Sequence, residues 1–160
     1  MKSFSALLLF IMFIFIACNP DDITDEPIEN EPEIHLSANI NGSAFKADKF
    51  DVSTAISNET TYQITATQDT QTITLFFYEK PQVKTYTITG DISLDKVSFS
   101  WASNNLYSTS NHKSTSGTIK ISAYENGYLT GTFSGVVAKN IDQNVTASIT
   151  NGSYYARFSE

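Results

Sequence analysis

Two histidines, one cysteine, scattered serines and threonines, and a set of tyrosines are the side chains here with chemistry to offer. Neither His35 nor His112 has a second ligand at the short spacing that zinc sites use, so no metal site and no cofactor are expected. His112 stands in a stretch rich in Ser, Thr and Asn, residues 102–116, where a serine could reach it in a relay. No nucleophile-elbow motif surrounds any of those serines, and no glycine-rich phosphate loop occurs anywhere in the chain. No catalytic residue is therefore assigned, and a non-enzyme is expected. The acids between residues 21 and 33 lack the spacing and the glycine of a calcium loop. Binding chemistry remains. Tyr124, Tyr128 and Tyr155 fall at outward positions in the registers argued below, where aromatic rings can stack on a sugar or anchor a protein. Cross-strand packing is the other use such rings have.

The elements that must position these tyrosines lie in the last third, residues 116–158. Ile119, Ile121 and Ala123 alternate on one stretch, and Leu129, Phe133 and Val137 share a face of the next. A two-residue turn at Asn126-Gly127 would put the two apolar sets on opposite faces. A three-residue loop, Glu125-Asn126-Gly127, pairs Tyr124 with Tyr128, Ala123 with Leu129 and Ile119 with Phe133, with Gly127 left-handed at its third position. The period of two makes that one-residue difference decisive. A second hairpin is expected around Asn151-Gly152, pairing Ile149 with Tyr154, Ala147 with Ala156 and Val145 with Phe158. Both turn residues would then have positive φ, which Asn and Gly tolerate best.

The start of the chain reads as export and anchoring. Lys2 precedes an unbroken apolar run at residues 6–17. Those twelve residues are too few to span a bilayer, which takes about 20, so residues 1–17 are expected to be a signal peptide. The sequence Phe15-Ile16-Ala17-Cys18 resembles the lipobox of bacterial lipoproteins, with Phe15 where that motif usually has an aliphatic residue. The resemblance implies that Cys18, the only cysteine, becomes the acylated N-terminus. Residues 18–33 carry Pro20, Pro27 and Pro32 and seven of the 17 acids, with no Lys or Arg. Such a segment has little to bury and is expected to be a disordered tether, reaching up to roughly 50 Å. It leaves ten acids against nine bases in residues 34–160, so the acidity belongs to the tether. A net charge of −7 without a basic patch argues against nucleic acid as a partner.

Residues 34–160 form the single folded domain. Leu36, Ala38 and Ile40 alternate before a turn at Asn41-Gly42. Residues 52–56 give a short strand. Tyr62, Ile64 and Ala66 face Ile73, Leu75 and Phe77 across a turn at Asp69-Thr70. Phe76 and Tyr78 make the end of that strand apolar on both faces. Tyr86 and Ile88 mark another strand, and Val97, Phe99 and Trp101 alternate as core positions. Residues 102–116 are expected to be the longest loop. No helical periodicity follows residue 33. About ten short strands imply an all-β fold, an antiparallel β-sandwich or a flattened barrel. Gly131 and Gly135, on an inward face, point to strong coiling there.

The opening Ala38-Asn39-Ile40-Asn41-Gly42 with Phe45, the Gly-x-Ile-x-Ile of residues 117–121, Gly131-Thr132-Phe133, and Thr150-Asn151-Gly152-Ser153 together resemble a family of uncharacterised Bacteroidota lipoproteins. The resemblance covers residues 34–160. Its motifs are turn and core signals, so it implies a fold and no catalytic residues. The acids soon after Cys18 also resemble the signal that sends some lipoproteins of that group to the cell surface. The expected protein is an outer-membrane lipoprotein of the cell envelope, on the periplasmic face or the surface, attached to the membrane through acyl chains on Cys18. Its expected role is recognition of a glycan or protein partner. The alternative is a closed, lipocalin-like barrel carrying a small apolar ligand.

Overall fold

The computed structural model describes residues 33–56, 60–91, 93–105, 108–139 and 146–158. Cys18, the signal peptide and all of the tether but Glu33 lie outside the described residues, as does Val145.

The described residues contain ten strands and no helix: β1 (His35–Ile40), β2 (Ser43–Lys46), β3 (Lys49–Ile56), β4 (Thr60–Gln68), β5 (Gln71–Phe77), β6 (Thr85–Ile88), β7 (Val97–Asn105), β8 (Ser108–Glu125), β9 (Tyr128–Lys139) and β10 (Thr146–Arg157). All belong to one antiparallel sheet in the order β2-β1-β10-β9-β8-β7-β5-β4-β3, with β6 paired to β8 beside that path. The two ends of this order, β2 and β3, are neighbours in the chain, joined through Ala47 and Asp48. The Ala47 amide donates to Leu36 O in β1 at 3.1 Å, and the Asp48 amide donates to Thr67 O in β4 at 2.9 Å. Two consecutive amides thus tie to opposite ends of the sheet. The sheet curls into a half-barrel because of it.

Alternation places the core on the inner face. Leu36, Ile64, Ile73, Leu75, Phe77, Phe99, Ile119, Leu129 and Ile149 are all fully buried in one contiguous cluster. Burying each such side chain contributes about 1.5–3 kcal/mol, which makes the inward set the main determinant of register. Trp101 packs half-buried against this cluster, and its indole Nε1 donates to Gln71 Oε1 at 3.2 Å. The loop before β7 is pinned by Asp95, whose carboxylate accepts the Thr89 amide, the Thr89 hydroxyl and the Gly90 amide at 2.9–3.0 Å.

The turns at Asn41-Gly42 and Asp69-Thr70 form as expected, with Ile40 opposite Ser43 and Gln68 opposite Gln71. Tyr62, Ile64 and Ala66 face Phe77, Leu75 and Ile73. Three expectations are corrected. The β8–β9 connection is a two-residue turn, not a three-residue loop: Glu125 pairs with Tyr128, and both Asn126 (φ 53°) and Gly127 (φ 81°) are left-handed. The apolar sets still meet, Ile119 opposite Phe133, because a bulge between Ile121 and Ala123 inserts the extra residue further down the strand. One consequence is that Tyr124 pairs with Leu129 and packs against the core.

There is also no hairpin at Asn151-Gly152. β10 runs straight through it, held by β9 on one side and β1 on the other. Ile149 faces Gly135 and Gly152 faces Phe133, so Thr150 and Asn151 together oppose Ser134 in a bulge. Asn151 has φ 52°, but Gly152 does not have positive φ. A turn needs both residues left-handed, whereas a bulge needs only one.

Finally, the expected loop at residues 102–116 is strand. β7 extends to Asn105 and β8 starts at Ser108, pairing Trp101 with His112 and Ala102 with Asn111. Ser, Thr and Asn there occupy ladder positions whose backbone groups are satisfied by the neighbour, so polarity did not signal a loop.

Candidate functional site

Tyr128 and Tyr155 project from the outer face near the Asn126-Gly127 turn, and Tyr124 does not join them, because the bulge turns it inward. Tyr128 sits opposite Arg157 in the β9–β10 ladder, and Tyr155 sits between Thr130 of β9 and His35 of β1. Arg157, Tyr128, Tyr155 and His35 form a row across three strands. The Arg157 guanidinium lies 5.2 Å from the centre of the Tyr128 ring. The Tyr128 and Tyr155 rings stack at 5.1 Å with 13° between their planes, and His35 stacks on Tyr155 at 6.3 Å and 22°. His35 is itself oriented by a 3.0 Å hydrogen bond between its Nδ1 and Glu33 O. Cross-strand packing therefore does hold these rings, and it holds them in a fixed posture.

Beside the row lies a shallow depression of about 250 Å³. Tyr128 and Tyr155 wall it, Ala123 and Thr130 are small residues within it, and Glu125 and Asn126 supply polar groups. The bulge between Ile121 and Ala123 lies at its edge. A second, more open depression of about 500 Å³ follows on the same face. Thr118, Thr132, Ser134, Thr150 and Ser153 line it with hydroxyls, around Gly152. This hollow lies at the β10 bulge, where Thr150 and Asn151 together oppose Ser134. Sequence reading missed it, because the Asn-Gly that forms it looks like a turn. The signal that was available is the run of Ser and Thr at alternate outward positions on β8, β9 and β10.

Directly under this face, the Tyr154 hydroxyl donates to Lys120 O at 3.2 Å. Burial, helped by nearby Tyr86, pushes its phenol well above the ordinary 10.0, so it stays protonated. A second outward aromatic pair, Phe76 and Tyr78, stacks at 6.4 Å and 8°, with the Tyr78 hydroxyl 2.8 Å from that of Ser98. These are the two rings expected to make the end of β5 apolar on both faces.

His112, the residue a hydrolytic relay would need, is 2% exposed and lies 4.9 Å from Trp101, ring centre to ring centre. Neither of its ring nitrogens has a hydrogen-bond partner. Ser114, the buried serine two residues on, instead accepts the Phe99 amide at 3.1 Å. Among the described residues, no three His, Cys, Asp or Glu side chains come together as a metal site would require. No helix among them is long and apolar enough to cross a membrane.

A family model described as a domain of unknown function, DUF6252, matches residues 30–156. Comparison with curated proteins gives no match, and neither does comparison with solved structures.

Proposed function

The chain belongs to the DUF6252 family, a domain of unknown function, and from its own surface we propose that it is a non-enzymatic binding module anchored in the cell envelope through acyl chains on Cys18. The anchor rests on the short apolar run and the Cys18 motif. Acyl chains contribute roughly 0.8 kcal/mol per buried methylene, so two or more hold a protein stably. The acidic tether would be repelled by anionic headgroups, so charge does not supply the attachment. The outer membrane is the proposed location.

The observation that carries the binding role is the ordered row of Tyr128 and Tyr155 beside a depression on an outward face, which a core does not require. A glycan or a protein is the proposed partner. A lipocalin-like carrier needs interior room, and the described interior is occupied by rings in mutual contact. Phe99 lies 5.8 Å from Phe133, Phe133 lies 6.4 Å from Tyr154, and Tyr62 lies 5.7 Å from Phe158. The two depressions described above open on the outer face, beside the tyrosine row.

The test uses two variants of the full chain. Cys18→Ser should lose lipid labelling and leave the membrane fraction, or accumulate as uncleaved precursor. The Tyr128→Ser/Tyr155→Ser double variant should keep the wild-type circular dichroism and lose retention of the envelope glycan or protein that the wild type captures. Equal capture by both chains would remove the aromatic face from this reading.

A further inference from the structure

The two depressions on the outer face adjoin. Thr130, which lines the first, and Thr132, which lines the second, are successive outward residues of β9, and Tyr155 and Ser153 are likewise successive on β10. Together they make one trough along β9 from Tyr128 to Ser134. At about 3.4 Å per residue that is roughly 20 Å long. Its chemistry changes along its length. One end is walled by stacked aromatic rings, and the remainder is lined mainly with hydroxyl groups and Asn151, with Phe133 and Gly152 beneath them. Glu125 is the only ionised side chain in the lining, while Lys120 stands beside the trough opposite Thr132.

We infer that this trough binds a linear, uncharged glycan, with one sugar against the Tyr128–Tyr155 wall and the following sugars on the hydroxyl-lined floor. This rests on the reading of the domain as a binding module. Each Ser or Thr hydroxyl can both donate and accept, which matches a polyol whose hydroxyls do the same. The apolar face of a sugar ring packs on aromatic surface. A protein partner fits this lining less well, since the fully buried centre of protein interfaces is apolar and depleted in Ser. A polyanionic glycan would meet Glu125 in the lining, and the two cations nearby, Lys120 and Arg157, flank the trough without being part of its lining. The β10 bulge acquires a role here, because it sets Thr150 and Asn151 side by side at the second hollow.

The experiment is calorimetric titration of the full chain with graded oligomers, one to six sugars long, of neutral xylan, mannan and glucan. Oligomers of polygalacturonate and alginate serve as the charged series. One neutral series should bind, tightening with length until the oligomer fills the trough and then levelling off. Thr132→Arg, an outward substitution in the hydroxyl-lined half, should weaken the longest oligomers at least tenfold and leave the shortest within about twofold. Tyr155→Ser should weaken all lengths. Affinity independent of length, a preference for the uronate series, or no binding by any oligomer would overturn the inference. If oligomers fail while the tyrosine double variant still abolishes capture of an envelope protein, the glycan trough falls and the binding module stands. If nothing is captured in either assay, both fall.

Discussion

Gly152 faces the Phe133 ring across the β9–β10 ladder, and a Cβ at position 152 would stand 2.5 Å from Phe133 Cδ1 and equally close to Phe133 O. Real Cβ atoms do not approach backbone and ring atoms so closely, so any larger residue at 152 must push β10 or the ring aside. Gly152→Val should destabilise the domain by about 1–3 kcal/mol through overpacking. The cause is crowding, not a left-handed backbone, so Phe133→Leu should recover part of the loss in the double variant. Thermal unfolding of the three variants and the wild type checks this, and additive losses would place the strain elsewhere.

Tyr154 gives a specific alkaline signature. Its phenol is pushed above the ordinary 10.0 by burial in the fold, so near and above pH 10 the unfolded chain releases a proton that the folded chain keeps. The stability tied to this group is fully present below pH 10 and is lost as pH rises beyond it. Tyr154→Phe should cost about 1 kcal/mol at neutral pH, for the hydrogen bond to Lys120 O. It should also flatten the fall in stability between pH 10 and 11. Urea midpoints at pH 7, 10 and 11 measure both effects. An unchanged alkaline slope would mean that other groups dominate it.

His112 tests the buried polar site beside Trp101. Both ring nitrogens are buried without a hydrogen-bond partner, which costs free energy that an apolar ring of similar shape would not incur. His112→Phe keeps a ring against Trp101 and should leave stability unchanged or raise it by about 1 kcal/mol. A loss of more than about 2 kcal/mol in chemical denaturation would show that the imidazole is paired in solution.

Much of this fold could be read directly from the residues. Alternation identified most of the inward set from Leu36 through Phe158, although Ala123, expected inward opposite Leu129, lies outward opposite Thr130. Asn41-Gly42 and Asn126-Gly127 both marked genuine turns, the second of two residues and not three. The all-β class and the count of about ten strands followed from the same pattern. The outward placement of Tyr128 and Tyr155 was also legible, because it depends only on their parity against Leu129 and Tyr154. What local pattern left open was how the chain changes parity. Between Ile121 and Tyr124, and again between Ile149 and Tyr154, the inward positions shift by one residue. A turn and a bulge produce the same shift in a one-dimensional pattern. The second shift, taken locally, matches a hairpin at Asn151-Gly152, yet β10 has partners on both sides there, and reversing the chain would strip it from the β9 and β1 ladders. A bulge keeps nearly all of those hydrogen bonds and moves only one residue out of register. The same reasoning explains the Tyr124 correction and the hydroxyl-lined hollow around Gly152. Periodicity and turn chemistry are properties of a segment, so the sequence determined them. The choice between turning and bulging is set by which strands lie alongside, and only the tertiary structure decides that.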